Sequence, residues 1–322
     1  MSILSTPGAI GPEAAAEKVR KSITGGSRDI AGTAFMLIVL VALLMSVVIL
    51  AVLVWDMAGR GGGVLTDRLA DFLTGSMSSQ PEASGILQGL VGTFWIGVFT
   101  VAIAFPLGIA AAVYLEEYAS RGSRLARVID VNIRNLAGVP SVVYGILGLT
   151  LFVKALGDLT GPDSNGRSVV SAGLTLAILV LPIVIITSAE ALRAVPRGIR
   201  EAGFGVGATR WEVTRHHVLP YAAPGILTGT VLALARSLGE AAPLILVGAT
   251  TGFMTGGDEF ANLAALRERF TALPIVITTW AGRPGEGWQA VTAAAILVLL
   301  VVVLIANAAA IILRNRFDKV RK

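Results

Sequence analysis

Two charged side chains stand inside one of the most apolar stretches of the chain, Arg236 and Glu240 in LTGTVLALARSLGEAAPLILVGA. A guanidinium at the centre of a hydrocarbon layer costs about 2.5–3.5 kcal/mol on insertion scales, so such a residue normally faces a bundle interior or an aqueous path. At i, i+4 spacing the two side chains fall on one helix face. Two chemistries follow. One is a plain salt bridge that neutralises both groups and locks a subunit interface. The other is a way station for an anion, in which the planar fork of Arg236 donates to an oxyanion. Glu240 repels a bare anion but accepts a hydrogen bond from a protonated one.

A second candidate is the segment Glu190 to Ile226, EALRAVPRGIREAGFGVGATRWEVTRHHVLPYAAPGI. Connectors longer than about 12–15 residues are usually functional. Pro196 suits a first helical turn, and Ile199, Ala202, Phe204 and Val206 supply apolar faces between Arg200 and Glu201. Gly203, Gly205 and Gly207 allow a close turn or a tight backbone approach. A second short helix is expected from Thr209 to Val218, ending before Pro220. The adjacent His216 and His217 suit a metal or a pH response, but surface histidines in a basic loop are the commoner case. With no cysteine and only these two histidines, thiolate metal sites, disulfides and thiol nucleophiles are excluded. No catalytic or metal-binding set is expected. No lysine follows a glycine, so the chain has no phosphate-binding loop for ATP.

The elements that position these residues are spans. Of 322 residues 54% are apolar and 15% charged, against about 25% charged in a soluble domain; the mean hydropathy is +0.77. A crossing needs about 20 apolar residues. Six such stretches are expected: Ile30–Trp55, Ile86–Leu115, Leu136–Leu156, Ser171–Ala189, Tyr221–Ala249 and Trp288–Leu313. The first lacks the short core and cleavage site of a signal peptide, so it is expected to be retained. Lys and Arg gather on alternate connections: 18 of the 26 lie in the N-terminal tail, the 2–3 and 4–5 loops and the C-terminal tail. Basic residues near span ends stay cytoplasmic, so both termini are expected inside. The net charge of +5 follows from this bias and gives no ground for a nucleic-acid partner.

The opposite loops carry weaker signals. Val64–Leu73 and Asn262–Leu273 show helical apolar spacing and fit either short interfacial helices or ordinary elbows; contact with an extracytoplasmic partner is a further possibility. Gly59–Gly63 and Gly161–Gly166 read as turns. The first 25 or so residues are expected to be poorly ordered.

The cytoplasmic loop resembles that of the membrane subunits of bacterial ABC importers. Their pattern is Glu-Ala-Ala, three residues, Gly, nine residues, Ile, one residue, Leu-Pro. Here Glu201, Ala202, Gly207, Leu219 and Pro220 match at the required spacing, while Gly203 replaces the second Ala and His217 the Ile. The resemblance implies a coupling helix seated in a groove of an ATP-hydrolysing subunit. From the residues alone, a basic amphipathic loop on anionic membrane lipid is the alternative. LARSLGEAAPLILVGA and NLAGVPSVVYGILGL (Asn135–Leu149) narrow the resemblance to PstA-type permeases of the bacterial phosphate importer. The Gly239–Leu244 form differs there from the PstC-type sister. The likeness covers nearly all of residues 86–313. Gly138, Pro140 and Ser141 are expected to break or bend the third span, since Pro removes a backbone donor.

The resemblance implies an all-α integral membrane protein of the bacterial inner membrane with the ABC type I importer permease fold. It further implies a homologous PstC-type permease, an ATPase dimer that binds the ATP and Mg, and an extracytoplasmic phosphate-binding protein. The chain itself would hold no cofactor and catalyse no covalent step. The expected organisation is a tail (1–29), a first span with its outer loop (30–85), a permease core (86–313) with its coupling loop (190–220), and a C-terminal tail (314–322). Phosphate keeps a proton at neutral pH and sulfate does not, so the anion-station reading of Arg236 and Glu240 favours phosphate. Other cargo on the same scaffold, an ATPase-independent channel or secondary transporter, and a membrane enzyme are the rival readings. The last lacks any convergent His, Cys or carboxylate cluster in the spans.

Overall fold

The computed structural model describes residues 30–120, 123–250 and 264–319. The expected N-terminal tail, the last three residues and the start of the Asn262–Leu273 stretch lie outside them. The described secondary structure is all helical. The chain divides into two compact units at Asp56/Met57.

The first unit holds most of α1, which runs Ile30–Asp67. From Phe35 to Leu53 its large apolar side chains are all exposed. A helix apolar on every side suits lipid rather than water.

The second unit is built around α7 (Val169–Arg193), whose side chains are buried along most of its length. Packed against it are α3 (Leu87–Val113), α5 (Ser141–Gly148) and α10 (Leu219–Leu238). The long α13 (Glu286–Lys319) lies along α10, and α11 (Ala242–Val247) lies along α5. Ile96, Leu176, Val180, Val184, Ala233 and Phe270 form the central core. The remaining helices are α2 (Leu69–Thr74), α4 (Arg124–Ala137), α6 (Gly157–Thr160), α8 (Arg197–Gly205), α9 (Arg210–Val213) and α12 (Leu273–Ala281).

Among the described residues five helices are long and apolar enough to cross a membrane, and a bent pair, counted as one span, brings the number to six. That pair, Arg124–Ala137 with Ser141–Ala155, turns by 102° at the Gly138–Pro140 break. The third span therefore starts at Ser141 rather than Leu136, because α4 before it is a surface helix with no buried side chain.

Four expectations are corrected. Gly59–Gly63 is not a turn but part of α1. A Cβ on Gly61 would lie 2.5 Å from the Ala294 nitrogen of α13, so packing overrides weak helix propensity there. Of Val64–Leu73, the first residues end α1 and the rest form α2, where Phe72 is fully buried. The expected helix from Thr209 to Val218 does not end before Pro220. It passes through α9 and a π-helical turn, Thr214–Val218, directly into α10, so that Arg210–Leu238 is one continuous helix with Pro220 just past the π-helical turn. The fifth span, finally, is broken between Leu238 and Ala242. Pro243 lacks an N–H and its ring excludes the carbonyl four residues back, at Gly239.

The nine-residue α12 has no counterpart among the expected elements. At ~1.5 Å per residue it is too short to cross a bilayer, and Leu273, Ile275, Val276 and Trp280 are buried. Thr93 Oγ1 accepts the Leu273 N–H at 2.8 Å and so satisfies its first turn.

Candidate functional site

At the C-terminal end of α7 the chain turns through Pro196 into α8. This helix carries Glu201 and Ala202 exposed on one side and Gly203 buried on the other. A Cβ on Gly203 would lie 2.8 Å from Val213 Cγ2. The departure from Ala at this position thus lets α8 and α9 touch. Gly207 has φ +84°, a left-handed conformation that costs a side-chain-bearing residue roughly 1–2 kcal/mol, and it reverses the chain between the two helices. Thr209 and Glu212 then cap α9 reciprocally, the Thr209 N–H and hydroxyl each 2.8 Å from Glu212 Oε2. Val213 and Val218 are buried with Leu192, Val195 and Ile226, whereas His217 is exposed. Its replacement of Ile therefore leaves that core untouched. Leu219 is half-buried and Pro220 exposed at the head of α10. All five matched residues belong to one folded loop. Glu201, Ala202, Gly207 and Pro220 are its surface.

Around them the loop presents Phe204, Val206 and Trp211 to the outside, at 49%, 84% and 55% exposure. Three large apolar groups are thus left exposed on one polar connector. Trp211 was not singled out by its sequence context; an aromatic on an otherwise basic loop was the signal available.

Ion pairs absent from the sequence reading hold the loop in place. α3 ends in a π-helical turn, Tyr114–Tyr118, carrying Glu116 and Glu117. Arg200 reaches Glu117 Oε1 at 2.6 Å and also donates to the Leu192 and Val195 carbonyls at 2.9 and 2.8 Å. Arg193 reaches Glu116 at 2.6 Å. Two adjacent carboxylates at the end of an apolar span, opposite a basic loop, were the legible sign.

Arg236 sits in the last turn of α10 and Glu240 just past it, in the break before α11. Arg236 Nε lies 3.4 Å from Glu240 Oε1, with the two side chains 52% and 19% exposed. The expected pair therefore forms, but across a helix end rather than along a continuous span. Counted from Tyr221, Arg236 lies about 22 Å along the helix. About half of the Arg236 side chain is thus exposed, whereas Glu240 is mostly covered.

Residues 104–319 match the family of binding-protein-dependent transport system inner membrane components. The chain belongs to that family. This permease is 35% identical over 181 residues to the probable ABC transporter permease protein YqgH of Bacillus subtilis, a match covering 55% of this chain and 57% of that protein. It is 33% identical over 230 residues, 70% of each chain, to the phosphate transport system permease protein PstA 1 of Mycobacterium tuberculosis. Within the family the likeness is thus to PstA-type permeases. In fold it is similar to an inward-facing structure of the MetNI methionine ABC transporter, with a TM-score of 0.53 at 19% identity, covering 72% of this chain and 94% of that one. The permease is a multi-pass inner-membrane protein and a non-catalytic subunit of the ABC importer kind.

Proposed function

We propose that this permease forms half of the path of an ATP-driven importer of inorganic phosphate. Its termini lie in the cytoplasm, a PstC-type sister permease supplies the other half, and an ATPase dimer binds the ATP and Mg. A phosphate-binding protein delivers cargo from outside. One observation carries the reading: a half-exposed arginine side chain, paired at 3.4 Å to a carboxylate, at a break in an otherwise apolar helix. Discontinuous spans are where transporters commonly hold charged cargo. Arg236 offers the oxyanion two donors in a plane, and Glu240 accepts a hydrogen bond from the proton that phosphate keeps and sulfate lacks. Because Glu240 already neutralises part of the guanidinium charge, the anion is held weakly enough to leave. A change of conformation that alters the pair shifts affinity between inward and outward states.

The coupling role falls to Glu201, Ala202, Gly207, Leu219 and Pro220. Glu201 and Ala202, with exposed Phe204, Val206 and Trp211, form the surface a partner ATPase grips. Ion pairs from Arg193 and Arg200 to the end of α3 pass a push on that surface to two spans at once.

Phosphate uptake by cells carrying Arg236→Gln tests the site. Losing a charge-assisted hydrogen bond worth about 1.5–3 kcal/mol corresponds to a drop in uptake of about 10- to 100-fold, with the complex still assembled. Normal uptake by that variant removes the assignment, and equal transport of sulfate by the unaltered complex removes the role of Glu240. Glu201→Lys should instead lower the amount of ATPase that co-purifies.

A further inference from the structure

α4 buries no side chain, and the sides it leaves open differ in kind. Leu125, Asn132 and Leu136, spaced i, i+7 and i+11, form one stripe with Val128 beside it. Leu125, Val128 and Leu136 are 68%, 57% and 46% exposed. Arg127, Asp130 and Arg134, spaced i, i+3 and i+7, form the opposite stripe. We infer that α4 lies in the cytoplasmic surface of the bilayer and binds anionic phospholipid. Its apolar stripe sits among the acyl chains, Arg124 meets the headgroups and Arg127 lies just beyond them. The choice of leaflet rests on the orientation proposed above for the termini; the lipid contact itself does not.

The placement of the helix supports this. α4 meets the third span at 102°, so a span that crosses the bilayer leaves α4 close to the membrane plane. The turn between them is fixed. The Tyr144 hydroxyl donates to the Leu136 carbonyl at 2.8 Å and satisfies one of the acceptors that a helix end leaves open. At the other end Ser123 Oγ accepts the Ala126 N–H at 3.3 Å. Rotation about the helix axis is set as well. Ile133 packs on the core of Leu192, Val195 and Val213. Asp130 lies 3.8 Å from Arg193 and 3.1 Å from Arg134. These contacts turn the charged stripe towards the loop that follows α7 and leave the apolar stripe on the side away from it.

The chemistry of the open sides selects lipid. Between the two stripes runs a third, Arg124, Val128, Val131 and Asn135, spaced i, i+4, i+7 and i+11 and exposed throughout. Around the helix the polarity therefore changes in steps, from apolar through mixed to charged. A bilayer presents the same order: acyl chains, headgroups, water. A groove on another protein imposes no such gradient. Asn132 interrupts the apolar stripe, but its amide donates to the Val128 carbonyl at 2.7 Å, so part of its hydrogen bonding is satisfied within the helix. Among the described residues no ion pair engages Arg124 or Arg127, and anionic headgroups supply the missing charge. Basic residues on one side and large apolar ones on the other suit a helix lying about 5–10 Å into the boundary between headgroups and acyl chains.

The chain has no cysteine, so Leu125→Cys, Leu136→Cys and Arg134→Cys each give one site for a fluorescent label. The assembled transporter is reconstituted in vesicles of phosphatidylcholine and phosphatidylglycerol, and the transporter without an introduced cysteine is the blank for thiols on partner chains. Brominated acyl chains should quench most of the emission at Leu125→Cys and Leu136→Cys, and aqueous iodide little of it. Arg134→Cys should respond the other way. With bromine on one lipid at a time, phosphatidylglycerol should be enriched over phosphatidylcholine about fivefold for each arginine, and Arg124→Gln with Arg127→Gln should remove the excess. Labels at Leu125→Cys and Leu136→Cys that neither quencher reaches mean that protein covers the stripe, and labels open to iodide mean that water does; both overturn the inference. Equal quenching by the two lipids overturns the headgroup assignment, whether or not the double variant assembles. Iodide that reaches Arg134→Cys only from the face opposite the ATPase refutes instead the orientation of the termini.

Discussion

The two ends of α7 carry similar excesses of positive charge, but only at one end do carboxylates from another helix engage part of it. Beside Arg193, five arginines and three carboxylates line a cavity of about 880 Å³; beside Val169, two arginines and a lysine meet one carboxylate across about 490 Å³. At the first end Arg193 and Arg200 are each engaged at 2.6 Å, with Glu116 and Glu117. At the second, no described ion pair uses the cations. Paired arginines fix one element to another, and their geometry is satisfied without a ligand. The same residue type thus serves as a strut at one end and stands without a described ion-pair partner at the other.

The contrast is open to direct attack. The largest effect is expected from Arg200→Ala. It strands Glu117, whose side chain is only 9% exposed, and removing one partner of a buried pair costs about 3–5 kcal/mol. The thermal midpoint of the purified permease should fall accordingly, and Glu117→Gln in the same chain should recover part of the loss. Gly203→Leu comes next. Overpacking against Val213 should cost about 1–3 kcal/mol and shift α8 away from α9, read as a lower midpoint together with reduced ATPase co-purification. Arg193→Ala should cost at most about 1 kcal/mol, because its pair with Glu116 is far more exposed and exposed pairs are weak. Smallest of all, Lys154→Gln with Arg269→Gln should leave the midpoint within about 0.5 kcal/mol, as substitutions without partners do. A loss there as large as that for Arg200 would mean these cations are struts too, and the distinction between the ends would vanish.

Much of the architecture is legible from composition because a bilayer restricts the choices. With no water to satisfy backbone groups, a long apolar run has to become a helix, so the spans could be placed from Ile30 onward without knowing their neighbours. The spacing from Glu201 to Pro220 marks the folded loop of α8 and α9 for the same kind of reason: close approach and chain reversal at Gly203 and Gly207 are demands on backbone shape that few residues meet. The bend near Pro140 follows from a missing N–H. Pro243 carried the equivalent signal for the break in the fifth span, masked there by the apolar run on both sides.

Contacts between distant residues decided the rest. Local propensity makes Gly59–Gly63 a turn, yet the backbone of α13 packs against Gly61 and keeps the segment helical. Nothing near Arg200 in the chain points to Glu117, 83 residues away, and nothing near Arg167 points to Gly248, against which its stem packs. Hydropathy and spacing act over a few residues, and a one-dimensional reading captures them. Which charge meets a partner and which is left facing a cavity depends on how helices from separate parts of the chain converge, and only the folded arrangement decides that.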